Sequence, residues 1–245
     1  MRGLGTLTWM ELKLFVREPF AVIFAFAFPV VVLAVITGSF GSQPDPDFGG
    51  ARPPDYYLAS YIAVVIAAVG LLAVPVHMAT YRERGILRRF RASAFSPWTV
   101  FAAQGIVGLI MATLGAAVLV GLGAVLYDAA LPVSPGAALV GFLVGTVSFL
   151  ALGFLLAGVT RRARAAQAVG MLLFFPMWLL SGAGPPPGVM SDGMRVASDV
   201  LPLTQVVRAP QDPWLGWGSA PGALLALGLI LVASLALSAR PLRSG

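Results

Sequence analysis

Six long stretches without a charged residue constrain the fold more than any other feature of this sequence. Each is at least 25 residues long and contains no Asp, Glu, Lys or Arg. A helix needs roughly 20 apolar residues to cross the hydrocarbon core of a bilayer, and lipid offers no partner to an unpaired backbone group. A buried core helix of a water-soluble protein explains one such stretch but not six in succession. The stretches are 20–44, 56–81, 92–127, 129–160, 165–191 and 213–239.

The stretches predict an all-α membrane protein with a single transmembrane domain over residues 1–245. Composition agrees, because only 11% of the residues are charged whereas soluble domains carry roughly 25%. The predicted spans within the stretches are 20–40, 57–80, 98–126, 136–160, 166–182 and 219–239.

The basic residues predict the orientation in the membrane. With a cytoplasmic N-terminus, 13 of the 16 Lys and Arg residues fall on the cytoplasmic side and seven of the ten acids fall outside. This asymmetry follows the positive-inside rule, so we expect both termini in the cytoplasm. The dominance of arginine, with a single lysine in the chain, is typical of a GC-rich bacterial genome and favours a bacterial cell membrane.

Residues that the chain lacks exclude several kinds of chemistry. There is no cysteine, and the single histidine, His77, cannot make a histidine-rich metal site alone. The only lysine, Lys13, is not part of a G-x-x-x-x-G-K-[ST] phosphate loop. No Asp or Glu lies inside a predicted span to relay protons or sodium. We therefore predict a non-catalytic chain that binds no cofactor, metal or nucleic acid and is either passive or driven by a partner.

Residues 5–18 predict an amphipathic helix that lies in the membrane interface before the first span. Its polar side is predicted to hold Glu11, Lys13 and Arg17. Its apolar side comprises Leu4, Leu7, Leu12, Phe15 and Val16.

His77 is the only ionisable side chain inside a predicted span. An intramembrane ionisable residue is a candidate functional group. Because His77 lies about one turn from the cytoplasmic end of its span, it could also simply reach water. Both interpretations are open at this point.

Residues 81–97, YRERGILRRFRASAFSP, form what we call the arginine loop. It carries five of the fifteen arginines and one acid, Glu83, and Gly85 permits a sharp turn out of the second span. Its apolar residues fall near one helical face, which predicts a short amphipathic helix along the membrane surface. The loop either only sets the topology or also docks a soluble partner. The apolar residues are Ile86, Leu87, Phe90 and Ala94.

Three further patterns predict local structure. Pro29 lies in the middle of the first span and is expected to bend it. Gly141 and Gly145 form a G-x-x-x-G pair, which allows two helices to approach closely. The outer segment 183–212 combines a Gly-Pro-Pro-Pro run with an amphipathic pattern, and this predicts a re-entrant helical turn after span five.

The run 82–93, RERGILRRFRAS, with Ser96 and Pro97 after it, resembles the first cytoplasmic loop of ABC-2 type transporter permeases. The closest likeness is to the antibiotic-resistance and drug-export branch, of the daunorubicin-resistance type. The segment after span five and the residues 17–19 also resemble this family.

The resemblance implies a half-transporter of six helices that works with a second permease copy or a paralogue. ATP and magnesium are expected on a separate ATPase subunit, which would engage a coupling helix in the arginine loop. The coupling residues would be Arg82, Glu83, Gly85, Leu87, Arg88, Arg89 and Phe90. The resemblance also makes Phe174, Phe175 and Trp178 candidates for the substrate path. Phe24 and Phe28 are further candidates, because their i, i+4 spacing on one face of span one predicts an aromatic wall for a hydrophobic substrate.

We expect an ATP-driven exporter of a hydrophobic or amphipathic compound such as a drug. One alternative keeps the family and changes the cargo to a polysaccharide, lipid, ion or haem. Another is a membrane anchor without transport activity, whose arginine loop recruits a soluble protein or acidic lipids.

Overall fold

The computed structural model describes residues 2–16, 19–86 and 97–239, which form nine helices joined by turns. Helix α1 is Arg2–Val16. Helix α2 runs through Pro19–Val22, Ile23–Ala27 and Phe28–Phe40, and α3 runs through Pro53–Ala67, Ala68–Ala73 and Val74–Glu83. The other helices are α4 (Pro97–Tyr127), α5 (Pro135–Val159), α6 (Ala163–Leu180), α7 (Asp192–Asp199), α8 (Pro202–Leu215) and α9 (Pro221–Ala239).

Six of these helices are long and apolar enough to cross a membrane, namely α2, α3, α4, α5, α6 and α9. The prediction of an all-helical chain with six spans is therefore confirmed. Residues 87–96, which hold most of the predicted helix of the arginine loop, lie outside the described residues.

Two spans contain a π-helical turn directly before a proline. Ile23–Ala27 precedes Pro29 in α2, and Ala68–Ala73 precedes Pro75 in α3. Proline has no backbone N–H and its ring clashes with the carbonyl four residues before it. A wider π turn relieves that clash without ending the helix. The distortion predicted at Pro29 takes this form, and Pro75 produces the same distortion in α3.

Helix α3 is the centre of the bundle. Of the 18 most apolar consecutive residues of α3, 94% are buried, whereas only 17% are buried in the corresponding stretches of α6 and α9. Helices α4, α5, α6 and α8 all pack against it. An apolar helix buried on all sides must face protein, so α3 is the inner element and the outer spans are left to face lipid or another chain.

Glycines allow α5 to approach its neighbours closely. A Cβ on Gly153 would lie 2.1 Å from the carbonyl oxygen of Gly70 in α3. A Cβ on Gly141 would lie 2.3 Å from the carbonyl oxygen of Ala209 in α8, and Gly145 faces Val206 one turn further along. The G-x-x-x-G pair is thus the surface on which α8 packs.

The bundle has two distinct ends. The end where α3 and α5 finish and α6 begins carries Arg82, Arg84 and Arg161, and we call it the arginine end. Helix α1 packs on the start of α4 at this end. The opposite end carries the turn before α3 and the helices α7 and α8.

Candidate functional site

The five predicted path residues meet in one aromatic cluster between α2 and α6. Phe24 and Phe28, one turn apart on α2, have ring centroids 5.5 Å apart. Phe24 contacts Phe174 edge-on at 6.1 Å, and Phe28 contacts Trp178 edge-on at 5.3 Å. Phe175 lies 6.1 Å from Phe24. Edge-to-face packing at these distances is favourable for aromatic rings, so the cluster joins the two spans.

The cluster is accessible on one side. Phe174 is fully buried, whereas the other four aromatic side chains of the cluster are half-buried. The buried Trp178 indole N–H and the buried Tyr61 hydroxyl are neighbours here, and neither has another hydrogen-bond partner among the described residues. An apolar aromatic wall with a few polar groups is typical of small-molecule sites. That these residues line a substrate path remains a prediction.

Arg82 anchors the start of the arginine loop to the end of α5. Its Nη1 donates to the carbonyl oxygen of Ala157 at 2.8 Å and to that of Thr160 at 2.7 Å. The last carbonyls of a helix have no intrahelical partner and carry partial negative charge. A guanidinium therefore stabilises this helix end well.

Glu83 binds the next helix in the complementary way. Its Oε1 accepts a hydrogen bond from the backbone N–H of Ala163, at the start of α6. Carboxylates stabilise helix N-termini because the first N–H groups are unpaired and the dipole is positive there. Arg82 and Glu83 thus hold the start of the loop to the connection between α5 and α6.

The rest of the predicted coupling set is only partly described. Gly85 has φ +66°, the left-handed conformation that glycine adopts readily, and so provides the turn at the end of α3. The predicted residues Leu87, Arg88, Arg89 and Phe90 lie outside the described residues.

A buried polar cluster lies beside the loop, and we call it the Glu11 cluster. The Glu11 side chain on α1 is only 1% exposed. His77 Nε2 lies 2.8 Å from Glu11 Oε2, and the Tyr81 hydroxyl donates to Glu11 Oε1. The amide of Gln104 on α4 donates to Glu11 Oε2. One carboxylate from α1 therefore binds side chains of two different spans.

The Glu11 cluster corrects one interpretation of the sequence and excludes one of the two that were open for His77. Glu11 lies on the buried side of α1 together with Leu7, not on its polar side, and α1 exposes Trp9 and Met10 instead. His77 is 7% exposed and paired, so it is not a histidine that merely reaches water. The four-residue spacing from Leu7 to Glu11 and the lone histidine in a span were the signals that could have indicated this pair.

At the opposite end, tyrosines fix the segment after α6 to α3. The Tyr56 hydroxyl donates to the carbonyl oxygen of Gly182 at 2.9 Å, and the Tyr57 hydroxyl donates to that of Gly184 at 3.0 Å. The Gln211 amide on α8 donates to the Ser60 hydroxyl at 2.7 Å. These buried bonds hold the segment after α6 on the central helix.

A cavity of about 300 Å³ opens beside these bonds, between the turn before α3 and the helices α7 and α8. Its charged lining is Asp47, Arg195, Arg208 and Asp212. Burial raises the pKa of the Asp212 carboxyl above its usual value, while the positive charge of Arg208 lowers it. Because the lining holds two cationic and two anionic side chains, it favours neither an anionic nor a cationic ligand.

Comparison with known proteins gives one family match over most of the chain. A family model described as ABC-2 type transporter matches residues 2–211. No curated protein matches the chain.

Proposed function

Because the chain belongs to the ABC-2 type transporter family, we propose that it is the permease subunit of an ATP-driven exporter of hydrophobic or amphipathic compounds such as drugs. Subunits of this family are normally non-catalytic and imply an ATPase partner. In the proposed complex, ATP and magnesium bind to that separate subunit. The chain itself has no phosphate-loop lysine with which to bind them.

We infer the class of cargo from the aromatic cluster between α2 and α6. Four of its five aromatic side chains remain half-buried, and α2 and α6 are among the spans with the fewest buried residues. The cluster would therefore present an aromatic surface at the edge of the subunit. Such a surface suits an apolar or planar cargo better than a polysaccharide or an ion, which would need many polar partners.

The anchored loop supports the coupling part of the proposal. The start of the arginine loop is continuous with α3 and is bound to the ends of α5 and α6 through Arg82 and Glu83. A displacement of the loop by an ATPase would therefore act on three spans together. One of them, α6, carries Phe174, Phe175 and Trp178 of the aromatic cluster.

The proposed assembly places two permeases side by side in a bacterial cell membrane, with the arginine end and both termini in the cytoplasm. The excess of arginine at this end supports that orientation. The segment with α7 and α8 would be the re-entrant turn. Its helix α8 is covered by protein as such backbone requires, since α8 is buried against α3 and α5, whereas α7 is largely exposed.

Transport into inside-out vesicles that contain the chain and its ATPase tests the cargo assignment. Daunorubicin, which is fluorescent, is the probe. Phe28→Ala and Phe175→Ala should each lower its ATP-dependent uptake, because each removes a ring from the accessible side of the aromatic cluster. Val31→Ala on α2 is the matched control, since Val31 is 58% exposed and lies outside the cluster.

Uptake that is unchanged in both cluster variants would contradict a path along the aromatic cluster. ATP-dependent export of a polysaccharide, ion or haem, without any export of apolar compounds, would establish the alternative cargo. If the chain recruited a soluble protein but bound no ATPase, it would be a membrane anchor.

A further inference from the structure

The Glu11 carboxylate is an unusual group to find buried at the edge of a membrane protein. Removing a carboxylate from water costs free energy unless hydrogen bonds or an opposite charge replace its solvation. Here His77, Tyr81 and Gln104 supply three partners to its two oxygens. Because both carboxyl oxygens have buried partners on α3 and α4, α1 is held to these two helices at this point.

The partners of Glu11 lie at both ends of the arginine loop, and Tyr81 is the first residue of the loop itself. His77 and Tyr81 are one turn apart on α3, which ends at Glu83 just before the loop's turn. Gln104 lies on α4, which begins at Pro97 where the loop ends. The rise of 1.5 Å per residue places Tyr81 about 3 Å and Gln104 about 10 Å along the helix from these ends.

Apolar contacts reinforce the same junction. Leu7 of α1, the Tyr81 ring of α3, and Val100 and Ala103 of α4 are buried together, and Ile86 packs against them. The His77 and Tyr81 rings are also in contact, with centroids 4.7 Å apart. Helix α1 therefore has both a polar and an apolar attachment to the two helices that flank the loop.

We propose that Glu11 is a positioning residue in the coupling of ATP hydrolysis to transport. Its carboxylate holds α1 to both ends of the arginine loop, so that a displacement of the loop by the ATPase is passed to α1. This inference rests on the proposed function, because it requires an ATPase that moves the loop. If α1 were only packed against its neighbours, the Glu11 cluster would have no part in that motion.

Hydrogen–deuterium exchange on the complex with the co-purified ATPase tests this inference. Exchange of the α1 peptide, residues 2–16, and of the loop peptide, residues 81–97, is measured by mass spectrometry in membrane nanodiscs. The complex is compared without nucleotide and after trapping with ATP, magnesium and vanadate. We expect both peptides to change their exchange on trapping in the native complex.

The variants separate coupling from simple attachment. In Glu11→Ala the loop peptide should still respond to trapping, whereas the response of the α1 peptide should be lost. Met10→Ala, at an exposed neighbour on α1, should keep both responses. Tyr81→Phe removes a single hydroxyl at constant shape and serves if Glu11→Ala does not fold. It should reduce the α1 response by about half or more while the loop response remains.

Three outcomes would overturn the inference. The first is that the α1 peptide of Glu11→Ala responds to trapping as strongly as that of the native complex. If Glu11→Ala does not fold, the same result in Tyr81→Phe counts instead. The second is a native complex in which the loop responds and α1 does not. The third is a native complex in which neither responds, and only this last result would also contradict the proposed function, because it removes the motion of the loop itself.

Discussion

The Glu83 carboxylate accepts a hydrogen bond from the backbone N–H of Ala163 at 3.1 Å, across 80 residues of sequence. Together with the neighbouring Arg82, it joins the end of α3 to the end of α5 and the start of α6. The arginine loop therefore begins at a point where three spans are linked, and its first two charges serve this linkage.

We predict that Arg82→Gln destabilises the chain by about 1–3 kcal/mol, because two helix-terminal carbonyls lose a charged donor. The free energy of unfolding in mixed micelles, from a denaturant titration followed by tryptophan fluorescence, measures this. Arg84→Gln is the matched control, since Arg84 is exposed like Arg82 and lies two residues further along, but does not donate to these two carbonyls. Equal stability of the two variants would contradict the anchoring role of Arg82.

Breaking the Glu11 cluster should cost more than breaking the Arg82 anchor. Glu11→Ala leaves three buried side chains without their shared acceptor, and we expect a loss of about 3–5 kcal/mol. Tyr81→Phe removes one donor and should cost about 1–2 kcal/mol. The same unfolding titration gives both values, and a double-mutant cycle between the two positions should show coupling. Strict additivity would be inconsistent with a shared hydrogen bond.

Close approach of α5 to α3 predicts opposite effects for two glycines of one helix. In Gly153→Ala the new methyl group would overlap the Gly70 carbonyl oxygen, which should destabilise the chain by about 1–3 kcal/mol. In Gly158→Ala nothing lies within 4 Å of the methyl group, so this control should be neutral or slightly stabilising. Thermal unfolding of the purified chain measures both, and equal losses would rule out the crossing at Gly153.

The raised pKa of Asp212 predicts how stability depends on pH. Below about pH 4 the carboxyl is protonated in both states and the native state keeps its full stability. As the pH rises, the unfolded chain loses its proton first, so stability falls until the folded group ionises as well. Asp212→Asn should remove this fall and be the more stable chain at pH 7, whereas Asp192→Asn on α7 should not. An unchanged pH profile in Asp212→Asn would contradict this assignment.

The sequence predicts the spans well because lipid imposes a strict length and composition on each one. The distortion at Pro29 is likewise predictable, because proline has no backbone N–H to donate wherever it lies inside a helix. The helix through the predicted second span is longer than predicted and starts at Pro53, since Asp55 is buried and its carboxylate accepts from the backbone N–H of Ala130.

The Glu11 cluster could not be predicted by the same reasoning. Hydrophobic periodicity assigns a charged residue to the polar side of a helix, whereas Glu11 is buried because its partners come from α3 and α4. Those partners are 66, 70 and 93 residues away in sequence. The helical spacing of Phe24 and Phe28 indicated one half of the aromatic cluster and family resemblance indicated the other, and the structure brings the five residues together.

We propose that this chain transports only when a separate ATPase drives it. The most direct test is the uptake of daunorubicin by proteoliposomes that contain the chain alone, the chain with its ATPase, or the chain with an ATPase whose phosphate-loop lysine is replaced. We predict ATP-dependent uptake in the second preparation only. Equal uptake by the chain alone, or with the inactive ATPase, would contradict the claim.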